Sequence, residues 1–496
     1  MLRSLFLIGI FLSFIGFGLA APFVLTLGYA WVDTFRPQSV ALVILNQVPC
    51  ALVMGIAAIG GYALLDRRSP PRLTFAMALT VMMALWVTLS LLWAAVPDAA
   101  LEKWSWAFKT VAFAAFIPFA IRSRVQIEAF AQIYVFSLAA NVIPFGAKTL
   151  ISGGGYGHNL GLQTGNGNLS EGGLLSTICL MAIPLALHLG RHTQILPRTR
   201  LIALGYVGIA LLALITALGT FERSALIGLV IMGLYLFVQS RHKVLFALFA
   251  ALIVVALSYK MSAGYEARIA TIADPTAESS ALTRILVWKW TFQYVLSHPL
   301  GGGFQVYVLD RIEYPSGAVV LGRAFHSAYF EVLGEQGWVG LALFLGAAAS
   351  TFFGLRRLAR RVRDVPQLAW VADMAGALQC GLVVFLTSGA FVAIAFQPAF
   401  WYFVAMSVSL REYVRRVEAL QKPAFGWRAD RAAALVPETP PVGAPPAGRP
   451  PFGRPPPATP PLGGGAVAAP AMGAGRGGPQ LDLLRQQLGI TPRPRT

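Results

Sequence analysis

The sequence predicts an all-α polytopic membrane protein with about twelve transmembrane helices. Three observations carry that expectation. Apolar runs of roughly 20 residues recur along the first 410 positions, each long enough to cross a bilayer core as a helix. Charged residues make up 12% of the 496-residue chain and mean hydropathy is +0.66, whereas a soluble domain carries about 25% charged residues. The alternating apolar–polar pattern of a membrane β-barrel is absent from the sequence.

The N-terminal transmembrane region, 1–262, is expected to hold about nine spans. Its first 33 residues have the charge-then-apolar look of a signal peptide. No small-x-small cleavage site precedes polar sequence, so they are expected to remain as a first span. That span, roughly Leu5–Trp31, contains Gly16, Gly18 and Pro22 and is expected to be broken or re-entrant. Further spans are expected near 39–65, 73–95, 104–121, 126–149, 170–189, 201–219, 224–239 and 244–262. A long loop follows over 263–336. The C-terminal transmembrane helices, 337–411, comprise spans near 337–356, 369–394 and 397–411.

Charge placement orients these spans. A formal net charge of +18 invites a nucleic-acid partner. However, fifteen Lys and Arg sit in five short loops expected on one side, at 66–72, 122–124, 191–200, 240–243 and 356–363. Much of the remainder lies in the C-terminal tail. The loops at 97–103, 152–169, 221–223 and 263–325 fall on the other side. Only the last is rich in cations, and long loops largely escape the positive-inside rule. Both termini are therefore expected in the cytoplasm of a bacterium, with a large periplasmic loop and no nucleic-acid partner. Residues 421–496 are dense in Pro, Gly and Ala and are expected to form a disordered cytoplasmic tail. Near its end Leu481, Leu484 and Leu488 share a helical face, as a marginal helix or a small docking motif. Cys50, Cys179 and Cys380 sit in apolar spans at unrelated spacings, which gives neither a disulfide framework nor a metal-ligand pattern.

Ser279–Gly340 is the longest polar interruption before the tail, and it holds Arg284, Lys289, His298, Arg311, Arg323, His326, Glu331 and Glu335. Its first part, SALTRILVWKWTFQYVL, reads as a helix along the outer surface. Ser279, Ser280 and Thr283 supply a start signal, and Trp288 and Trp290 suit the interface. A snorkelling cation explains Lys289 well and Arg284 less well, because Arg284 follows that start signal. Arg223 is pinned beside Glu222 in the tight turn GTFERSALIG, where a structural ion pair and a functional role are evenly balanced. Two Arg from different segments can clamp a lipid diphosphate, since the planar guanidinium stays protonated and gives bidentate hydrogen bonds. No Asp-rich signature accompanies them, so no metal is required.

His326 sits where the long loop ends and the next helix begins. There it accepts a proton from an acceptor hydroxyl or simply orients it. A lone His is more often structural, but Tyr329, Glu331 and Glu335 lie close by on the same expected helix. For either Glu the plain alternative is a helix-surface charge. Gly334, Gly337 and Gly340 read as close helix packing. The run SHPLGGGF (297–304) lacks a phosphate-loop signature and reads as a structural turn after the surface helix. The Gly/Asn-rich loop 152–173 either offers backbone amides, His158, Asn166 and Asn168 to sugar or phosphate, or is a flexible connector.

The order Arg284-Ile285-Leu286-Val287-Trp288, then His298–Phe304, then His326–Gly340 resembles the O-antigen ligase / O-antigen polymerase superfamily. LEKWSWAFKT (101–110), LISGGGY (150–156), GNGN (165–168) and FERSALIG (221–228) extend the likeness to its exosortase-associated O-glycosylation ligase branch, over roughly residues 1–410. That branch usually shows an Asp-Asn-Asn-like run where this chain has Asn166-Gly167-Asn168. The resemblance implies a GT-C-type, metal-independent glycosyltransferase with no cofactor. It moves glycan from an undecaprenyl-diphosphate carrier to a saccharide, lipid or protein acceptor, on the periplasmic side of the inner membrane. It implies catalytic roles for Arg223, Arg284 and His326. The expected substrate contacts are Arg223, Arg284, Asn168, Tyr329 and Glu335. A polymerase joining lipid-linked repeat units shares the architecture and remains open. A lipid-linked glycan transporter is the alternative from another class. It would place charges at the midplane on broken helices, whereas here they concentrate outside, with Lys109 the main exception.

Overall fold

The computed structural model describes residues 2–41, 45, 47–66, 70–152, 171–239, 243, 279–315 and 317–421. The expected span at 244–262, the loop containing Asn168, positions 263–278 and the tail beyond 421 lie outside the described residues. Thirteen helices of more than one turn order the described chain: α1 (Leu2–Ala20), α2 (Phe23–Phe35), α3 (Cys50–Leu65), α4 (Phe75–Leu89), α5 (Pro97–Ala120), α6 (Arg124–Ser152), α7 (Gly172–His192), α8 (Arg200–Gly219), α9 (Arg223–Gln239), α10 (Ser279–Ser297), α11 (Ala328–Val362), α12 (Ala369–Ser388) and α13 (Pro398–Gln421). Strands β1 (Arg311–Glu313) and β2 (Val319–Leu321) form one antiparallel hairpin between α10 and α11. Seven of the described helices are long and apolar enough to cross a membrane, and α2, α3 and α9 are shorter apolar helices. The protein is an all-α, multi-pass membrane protein.

Local sequence explains where helices stop. Pro22 separates α1 from α2, so the first segment is broken as its composition suggests. Its second half ends at Arg36, which adopts a left-handed conformation (φ 56°). The single span expected at 39–65 is instead one helical turn at Pro37–Val40 and a helix that starts after Pro49. The span expected from 337 begins nine residues earlier, at Ala328, and the span expected at 397–411 runs on to Gln421. Helix α7 is apolar all round and is buried on nearly every face from Gly172 to Leu189. Phe344, Phe385, Phe400 and Trp401 lock α11, α12 and α13 together through ring contacts of 4.9–6.5 Å.

The described loops sort into two ends. At one, Arg122 donates to the Tyr62 hydroxyl (3.1 Å), Arg124 to the His192 carbonyl (3.1 Å), and His188 meets Asp373. These contacts join α3, α5, α6, α7 and α12. At the other end the Ala95 amide donates to the Gly302 carbonyl (2.8 Å), the Ala328 amide to Gly389 (2.7 Å), and the Ser388 hydroxyl to Ser224 (3.1 Å). Here the end of α4, the starts of α9 and α11 and the end of α12 meet the polar stretch that follows α10.

Candidate active site

Helix α10 is amphipathic. Val287, Thr291 and Val295 form a buried stripe at spacing four, while Ile285, Lys289, Phe292 and Leu296 are exposed. Val287 packs with Val306, Ile312 and Phe325, so the β-hairpin and the approach to His326 share one small core with this helix. Arg284 continues the same face one turn earlier. Trp288 is not an interfacial side chain as expected. Its Nε1 donates to the Phe325 carbonyl (2.8 Å) and its ring stacks on Phe330 at 5.0 Å. The Arg-x-x-x-Trp spacing thus lets one helix present Arg284 and hold the residue immediately before His326.

The SHPLGGGF run and Gly337 are one device. Gly337 has φ 66° and ψ −165°, which breaks α11 near its start. The break frees carbonyls that the helix would otherwise use. Gly302 and Gly303 donate to the carbonyls of Gly334 (3.0 Å) and Glu335 (2.9 Å), and Trp86 Nε1 donates to that of Gln336 (2.9 Å). A Cβ on Gly301 would meet the Gly337 amide nitrogen at 2.5 Å, and one on Gly337 would meet the Pro299 carbonyl at 2.3 Å. Glycine is required at both positions because two backbones touch. The run is structural, as its sequence suggests. Gly334 is a close-packing glycine against the Phe325 ring, whereas Gly337 is a helix break rather than a packing position.

Beneath this loop lies a buried charge triad. Lys103 Nζ on α5 donates to Glu331 (2.7 Å) and to both carboxylate oxygens of Glu335 (2.8 and 2.9 Å). The remaining valences are also used. The Ala395 amide donates to Glu331 (3.0 Å), and the amide of Gln305, itself left-handed at φ 58°, donates to Glu335 (2.9 Å). The Phe304 and Phe396 rings each lie 5.5 Å from Lys103 Nζ. Glu331 and Glu335 are therefore not helix-surface charges. Their spacing of four puts both on the buried side of α11, where they tie α5, the loop after α10 and the α12–α13 connection to one cation.

Arg284 acts on the Glu171 carboxylate. Glu171, directly before α7, lies in the fields of Glu222, Glu331 and Arg284. Desolvation, then the charges of Glu222 and Glu331, push its pKa up to about 6 against the pull of Arg284. Arg284 Nε is buried and has no hydrogen-bond partner among the described residues. Two backbone outliers flank the same region. Phe221, in the turn carrying Glu222 and Arg223, has φ 54°, and His326 has φ 48°. Bulky residues adopt this conformation at a cost, and such strain gathers where side chains must be aimed. His326 is fixed from both sides, by Trp288 on the Phe325 carbonyl and by the Ala328 amide on Gly389.

Thus Arg284, the Glu222–Arg223 turn, Glu331 and Glu335 come together at one end of the bundle, with His326 on the segment that joins the hairpin core to α11. The Tyr329 hydroxyl donates to the Leu386 carbonyl (2.5 Å) and holds α12. Glu335 is enclosed by Lys103. Asn168 lies outside the described residues. Sequence reasoning did not single out Lys103 or Glu171. Glu171 did leave a signal, as the lone carboxylate between Glu128 and Glu222. Lys103 falls within the 97–103 loop and the LEKWSWAFKT stretch, with no separate signal in the sequence.

Residues 208–345 match the O-antigen ligase family, and residues 2–194 match a family of unknown function (DUF5935). No curated protein matches this chain.

Proposed function

We propose that this chain, a member of the O-antigen ligase superfamily through residues 208–345, transfers a glycan from a polyprenyl-diphosphate carrier to an acceptor hydroxyl at the membrane surface. One observation carries the assignment of roles. Arg284 presents a buried Nε–H with no partner among the described residues, and both Arg284 and Glu222, the neighbour of Arg223, act on Glu171. An unsatisfied guanidinium donor suits a bidentate anionic ligand, and a diphosphate fits that need. Arg284 and Arg223 bind the diphosphate and stabilise the charge that grows on it as it leaves. His326 takes the proton of the acceptor hydroxyl, whose oxygen bonds to the anomeric carbon as the carbon–oxygen bond to the diphosphate breaks. The products are the glycosylated acceptor and the free carrier diphosphate. The Lys103 triad holds the surrounding loops, and metal ions take no part in this scheme. Loop charge supports placing this end of the bundle in the periplasm, with both termini cytoplasmic.

The test uses a strain lacking this protein and complemented with His326→Ala at verified normal membrane levels. Surface glycan and the lipid-linked precursor pool are measured together. Lost glycan with accumulated precursor is expected. Normal glycan removes His326 from the mechanism. In the full deletion, unattached full-length polymer supports a ligase, and loss of chain growth indicates a polymerase.

A further inference from the structure

At the end of the bundle away from Arg284, α7 and α12 bring together a second group of side chains. His188 and His192 stand one turn apart on the same face of α7, and Asp373 faces them from α12. His188 Nδ1 lies 2.9 Å from Asp373 Oδ2, and His192 Nε2 lies 3.5 Å from the same oxygen. One ligand atom from each residue falls within 4.8 Å of the other two. Bonds of ~2.0–2.1 Å to a tetrahedral metal set its donor atoms about 3.4 Å apart. Two of the three edges already bracket that value, and a small turn of the half-exposed His192 ring closes the third.

We propose that His188, His192 and Asp373 bind a divalent transition-metal ion of the zinc class and clamp α7 to α12. Two imidazoles and one carboxylate on rigid helices form a mixed nitrogen–oxygen donor set suited to such ions, with a fourth position left to water. His188 is buried, so one donor is fixed by packing. The site also lies at the C-terminus of α7, where the helix dipole favours positive charge. Two cations oppose a metal, and both have other engagements. Arg124 donates to the His192 carbonyl and lies over the Trp370 ring (4.8 Å). Arg191 reaches Asp373 at 3.6 Å through a largely exposed side chain that can swing into solvent. The site is separate from the transfer chemistry proposed above and does not depend on it.

The experiment uses the purified full-length chain in detergent, carrying no polyhistidine tag and stripped with chelator. Zn(II) uptake is counted by equilibrium dialysis with elemental analysis, and Co(II) is titrated by its visible absorption. One equivalent of Zn(II) per chain is expected, with a raised melting temperature. His192→Ala and Asp373→Asn should each weaken uptake at least tenfold, while His298→Ala leaves it unchanged. His192→Ala keeps the His188–Asp373 hydrogen bond and should fold even where Asp373→Asn does not. Absence of stoichiometric uptake, or uptake unaffected by His192→Ala, reduces the group to a hydrogen-bonded pair and overturns the proposal.

Discussion

Glu128 and Arg284 are charges held at opposite ends of one helical bundle, and their surroundings differ in one respect. The Glu128 carboxylate accepts from Gln132 (3.0 Å), the Thr193 hydroxyl (2.5 Å) and the backbone amides of Gln194 (2.7 Å) and Ile195 (3.0 Å). It closes the turn between α7 and α8, and its acceptor capacity is well used. Around Arg284 the accounts stay open. Among the described residues its Nε has no hydrogen-bond partner, and neither does Asp310 Oδ2 on the neighbouring loop. A buried polar group left unpaired costs stability. Among the described residues the Glu128 carboxylate is thus saturated by the fold, whereas Arg284 retains an unused donor.

Substitutions can break or sharpen that contrast. The largest effect is expected at Arg284. Arg284→Lys keeps the charge and loses the planar fork, so transfer by purified protein should fall about 100-fold or more, the usual scale for losing an oriented anion donor. A rate within a few-fold of wild type would show that the open donor is not used. Next comes Lys103→Met, which leaves Glu331 and Glu335 facing each other without a cation. Breaking a buried ion pair from one side costs about 3–5 kcal/mol. The expected signature is a sharply lowered melting temperature and membrane level, with the surviving folded fraction still able to bind donor. Unchanged stability would remove Lys103 from the scaffold.

Glu128→Gln should be milder. It weakens several charge-assisted hydrogen bonds at about 1.5–3 kcal/mol of total stability, while transfer per folded molecule stays at the wild-type rate. A changed rate would contradict the division between the two ends. The smallest effect concerns pH. Glu171, with its pKa raised to about 6, is neutral below that value and anionic above it. Its ionisation places a carboxylate beside Arg284, in competition with the diphosphate. Donor affinity should fall a few-fold as pH rises through about 6, and Glu171→Gln should flatten that limb.

Much of this was legible in the chain. Apolar runs located the spans because a helix must satisfy its own backbone in hydrocarbon. Pro22 located the first break. The polar stretch 279–340 declared itself by its density of ionisable residues, and the Arg284, Trp288 and His326 spacing survived as one helix and the segment it anchors. The role of SHPLGGGF as a turn was visible, but its dock on the Gly337 break was not, since that pairing is a backbone contact between segments some 35 residues apart.

The sequence by itself determined that the chain is a helical multi-pass membrane protein, that its first segment breaks at Pro22, and that a polar stretch interrupts the apolar runs. Those outcomes follow from hydropathy and from Pro and Gly, which act over a few neighbouring residues. Only the tertiary structure decided which charges neutralise each other. Lys103 meets Glu331 across 228 residues and His188 meets Asp373 across 185. Such pairs form because helices distant in sequence pack side by side, and a charge buried between them has to find its partner there.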